Sequence, residues 1–210
     1  MNETEKLWVN SLKGRVRVAN ELAERFAWHA RLNPKDTMHV CLLVEETLGM
    51  LRSMTDDFDG QLWLEGDGAS CRIHLDATAS MDPARKRRLI AAASSGKNSA
   101  PKGFMAKIGR MLYDAFAFGD AGNDTDVLID VMPSYIMHGM GGTYTRPVMA
   151  DMWSLNVSRE TLKREKAEHP DAEEALDELE KSIVARLADD VVVSVRGRNV
   201  ALVIEKTFHG

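Results

Sequence analysis

The sequence predicts an α+β fold on three observations. Two long stretches of helical period open the chain, a strand-like hairpin follows them, and a further helical stretch leads into a second hairpin at the end. Residues 5–32 supply the first helix, with Val16, Ala19, Leu22, Ala23, Phe26 and Ala27 on one stripe and Arg and Glu between them. Asn33-Pro34-Lys35-Asp36 stops it, because proline disfavours helix in the residue before it. Asp36 or Thr37 is expected to cap a second helix through Val40, Leu43, Val44, Thr47, Leu48 and Leu51. That helix is apolar over more than half its circumference, which predicts a deep position.

Gly60 to Glu65 alternates polar and apolar, Gly66-Asp67-Gly68 reads as a turn, and Ala69 to Asp76 alternates again through Cys71, Ile73 and Leu75. Asp82-Pro83 opens a short expected helix, and Ser94 to Gly103 is a small, polar loop stretch. Phe104, Ile108, Met111 and Leu112 form the stripe of a third major helix. Expected strands at Ala115–Phe118 and Val127–Met132 close a first unit, residues 1–133. Residues 134–157 are rich in Gly and Met, without a period, and read as a linker. Residues 158–210 carry a charged helix from Ser158 to about His169, another from Pro170 to Ala188, and the hairpin Val191–Val195 / Val200–Ile204. Ala175, Leu176, Leu179, Ile183, Val184 and Leu187 share one side of the last helix, a docking face for its own sheet or for a second subunit.

Composition narrows the function classes. The formal charge is −5 and the pI near 5.7, which argues against a nucleic-acid surface. No apolar run reaches the roughly 20 residues that span a bilayer, and the N-terminus lacks the basic start and apolar core of a secretory signal. Cys41 and Cys71, the only cysteines, sit in apolar periodic segments and read as reduced buried thiols, so the expected location is the cytoplasm. The histidines are scattered, with no pair at zinc-ligand spacing.

The stretches that could carry chemistry are Val44-Glu45-Glu46-Thr47-Leu48-Gly49-Met50, Leu75-Asp76-Ala77-Thr78-Ala79-Ser80 and Gly103-Phe104-Met105-Ala106. Taken alone, Glu45-Glu46 reads as a solvated patch and Asp76 as a strand-end carboxylate. In order and spacing the three resemble the nucleotide-site motifs of the GHKL (Bergerat) ATPases, nearest the small anti-sigma-factor serine kinases of bacteria. The resemblance covers roughly residues 10–132. It implies a two-layer α/β sandwich of the histidine-kinase ATPase type, with helices on one face of a mixed, mostly antiparallel sheet, to which this chain adds a C-terminal helix and hairpin.

By that resemblance Glu46 is the catalytic acid that polarises a nucleophile, and Asp76 accepts a hydrogen bond from adenine. Thr78 and Ser80 stand where the family has the glycines of its base-binding turn, and Gly103 and Lys102 meet the phosphates. Met50 occupies the place of the asparagine that holds magnesium, and a thioether is a poor ligand for a cation that wants oxygen. Met105 likewise replaces a phosphate-loop glycine. ATP and magnesium are the implied cofactors, and these substitutions argue against both. The expected function is therefore a regulatory binding domain, its partner a sigma factor or an anti-sigma antagonist, with weak or no magnesium-ATP turnover and with a homodimer through the C-terminal helix as a further option. The alternative is an active ATP-dependent serine protein kinase on the same fold.

Overall fold

Alternation is the local rule that builds the sheet. In the computed structural model, which describes residues 2–12, 15–55, 57–80, 152–165, 173, 176–177, 182–196 and 198–209, it produces longer strands than the sequence predicts. Strand β1 is Asn2–Glu3, β2 is Leu7–Asn10, β3 is Asp57–Gly66 and β4 is Ser70–Ser80. Helices α1 (Arg15–His29) and α2 (Pro34–Met54) lie between β2 and β3. After residues 81–151 come β5 (Met152–Ser154), α3 (Leu155–Glu165), α4 (Ile183–Leu187), β6 (Asp190–Arg196) and β7 (Asn199–Thr207).

The seven strands form one sheet in the order β1-β3-β4-β7-β6-β5, with β2 also on the outer edge of β3. Every pairing among the described residues is antiparallel, so the protein is an α+β fold on an antiparallel sheet. No parallel pair, such as a mixed sheet would need, occurs among them.

One face of the sheet makes the core. Phe58, Leu62 and Leu64 of β3, Ile73, Leu75 and Ala77 of β4, Leu202 and Ile204 of β7, and Val191, Val193 and Val195 of β6 join a single apolar cluster. The inward faces of α1, α2, α3 and α4 enter the same cluster through Leu22 and Phe26, Leu43 and Leu48, Leu155, and Val184. Val184 and Ala185 are fully buried, so the inner side of α4 packs into the chain's own core, and α4 lies against α2.

Several predicted boundaries move, each for a local reason. Helix α1 begins at Arg15 rather than near residue 5, because Leu7 and Val9 alternate inward and pair with Leu62 and Gly60. Thr4 N–H to Leu64 O (2.9 Å) and Ser11 N–H to Phe58 O (3.1 Å) extend this pairing at both ends. The cap of α2 is Asn33, not Asp36 or Thr37. Its Oδ1 accepts from Asp36 N–H (2.9 Å), its Nδ2 donates to Asp36 Oδ2 (2.7 Å), and Pro34 fills the first helical turn. At the β3–β4 turn Gly66 has φ +150°, a value that side chains other than hydrogen resist. Asp67 Oδ1 then accepts from Ala69 N–H (2.9 Å) and Ser70 N–H (3.2 Å), which also lowers the Asp67 pKa.

The helix expected from Ser158 starts at Leu155. Val157 N–H donates to Ser154 Oγ (3.2 Å), while buried Asp190 accepts from Ser154 Oγ (3.0 Å) and Asn156 N–H (2.9 Å). Residues 152–157, read from sequence as the end of a linker, thus form β5 and the first turn of α3. The short helix at Asp82, the loop before Gly103, the third major helix, the strands near 115–132 and the rest of the Gly/Met-rich stretch lie outside the described residues.

Candidate functional site

Helix α2 and strand β4 carry the described motif positions, and helical and strand periods decide where these point. Helix α2 turns Val40, Leu43, Val44, Thr47, Leu48 and Leu51 inward. Glu45 and Gly49 are exposed and Glu46 is half-buried. Met50 lies only 3% exposed, inside the apolar cluster. The position to which the GHKL resemblance assigns a magnesium ligand thus holds a core side chain.

Strand β4 corrects the expectation for Asp76. It is not at a strand end: β4 continues to Ser80, and Asp76 pairs with Gln61 on one side and Ala201 on the other. Thr78 pairs with Asp59 and Asn199, and its Oγ1 donates to Asn199 Oδ1 (3.2 Å). Ala79 N–H donates to Arg198 O (2.8 Å), and Ser80 pairs with Asp57. A tight base-binding turn needs glycine here; Ala77-Thr78-Ala79-Ser80 has none, and the β-branched and small residues continue the ladder. Thr78 and Ser80 are strand residues in a paired backbone, not a bend that a ligand approaches.

The alternation has a second consequence. Leu75, Ala77 and Ala79 are buried toward the helices, so Asp76 and Thr78 leave the opposite face, where they are exposed. Glu46 belongs to a helix on the core side. Glu46 and Asp76 therefore lie on opposite sides of the sheet. Gly103 and Lys102 lie within residues 81–151, outside the described residues.

Around Asp76 the polar face is organised by register. Trp63 faces His74 across the β3–β4 ladder, and their rings stack at 4.7 Å and 3°. Lys6 Nζ sits 4.3 Å from the Trp63 ring centroid, a cation–π contact. His74 Nε2 lies 3.3 Å from Glu65 Oε1, and Arg72 bridges Glu65 and Glu205 at 3.1 Å each. Surrounding protein mass pushes the Asp76 carboxyl pKa up, outweighing the lowering pull of His74 and Lys6. The sequence contained the signal for this row, since a hairpin centred between Gly68 and Ala69 puts Trp63 opposite His74.

Two of the cavities on the described surface leave Glu46, Met50 and Asp76 untouched. One of about 550 Å³ lies between the Asn2–Glu5 backbone and Arg25, Phe26 and His29 of α1. The other, about 290 Å³, lies at the β3–β4 turn beside Glu65, Arg72 and Glu205. Among the described residues no group of three or more His, Cys, Asp or Glu side chains is arranged to hold a metal ion. No described helix is long and apolar enough to cross a membrane.

Fold and site together define an α+β protein with a helical layer on one face of an antiparallel sheet and a charged, partly aromatic row on the other. No protein-family model matches this sequence, and no curated protein matches it either.

Proposed function

We propose that this chain is a regulatory protein-binding domain on a GHKL-type frame that no longer uses magnesium-ATP. The observation that carries the reading is Met50, whose side chain is packed into the core where the family resemblance calls for a metal ligand. The unbroken strand through Thr78 and Ser80 supports it, because a paired backbone offers no free N–H groups to a nucleotide base. By the same resemblance the partner is a sigma factor or an anti-sigma antagonist, recognised through helix surfaces that need no phosphate.

The test is calorimetric titration of the protein with ATP, with and without magnesium. No heat up to millimolar ATP is the expected result. Saturable micromolar binding that disappears in Asp76→Asn would overturn the proposal and restore the serine-kinase alternative, with Glu46 as its base.

A further inference from the structure

We draw no further inference here: the strongest candidate, the cavity of about 550 Å³ between the Asn2–Glu5 backbone and α1, carries nothing because its floor of Leu22 and Phe26 is already closed at 1% and 2% exposure, its Arg25 guanidinium is taken by Glu5 at 2.7 Å, and nothing in the structure shows what would fill it.

Discussion

Replacing Met50 with asparagine restores the side chain that the family resemblance calls for, and the structure predicts damage rather than repair. Met50 is 3% exposed within the apolar cluster of α2 and the sheet. Removing its packed side chain forfeits about 1.5–3 kcal/mol of burial. The new amide then brings polar atoms into the apolar cluster, at a cost of about 1–3 kcal/mol. A net loss of about 2.5–6 kcal/mol follows. With a urea dependence of about 2.5 kcal/mol per molar, the unfolding midpoint drops by roughly 1–2.4 M. Urea unfolding followed by tryptophan fluorescence measures this directly, and calorimetry on the same variant asks whether magnesium-ATP now binds. A Met50→Asn protein as stable as the parent that also gains magnesium-dependent ATP binding would refute the reasoning. It would mean that position 50 faces a hydrated cleft.

Asp76→Asn should be no less stable than the parent at pH 7. A carboxyl whose pKa is higher folded than unfolded takes up a proton on folding between the two values. Its charged form therefore weighs against the fold above the raised value, and stability recovers as pH falls through it. Melting curves from pH 7 to 4 should lack that recovery in the variant and so fall more steeply than the parent's, and marked destabilisation at pH 7 would instead mean that His74 or Lys6 holds the carboxylate. Cys71, 1% exposed with its pKa pushed up to about 12 by burial, should resist Ellman's reagent at pH 8 until the protein unfolds. Cys41 should react first, and equal native rates for both thiols would contradict the packing of β4. Gly60→Ala should cost about 1–3 kcal/mol, because a Cβ there would come within 2.7 Å of the Ala77 Cα and press on the Asp76 carbonyl oxygen. An unchanged melting temperature would show that β3 and β4 can part without loss.

What the sequence revealed and what it hid divide along the range of the interactions involved. Helix α2 and the two hairpins were legible because each carries its period within a few neighbouring residues: Val40 to Leu51, Leu62 to Leu75, Val191 to Ile204. Strand β2 was not, since four residues ahead of a helix become a strand only by pairing with β3 some fifty positions later. The same limit concealed the extent of β4, whose last residues are held by Asn199 and Arg198. The start of α3 was missed because its organiser, Asp190, lies far along the chain. For the candidate site, the residue types were visible but their faces were not. Only the register shows that Asp76 and Glu46 lie on opposite sides of the sheet, and only packing shows Met50 turned into the core.

The place of β7 beside β4 has a consequence for how the chain is made. Ser70 pairs with Thr207 and Thr78 with Asn199, so the central ladder of the sheet joins residues that leave the ribosome far apart in time. At synthesis rates of about 5–20 residues per second, β4 waits several seconds with its inner edge unpaired. An open strand edge of this kind invites pairing with another chain. Chains cut off before residue 199 should thus retain α1, α2 and the first hairpin yet associate through β4, and the last nine-residue strand, β7, acts as the seal that ends a nascent chain's exposure.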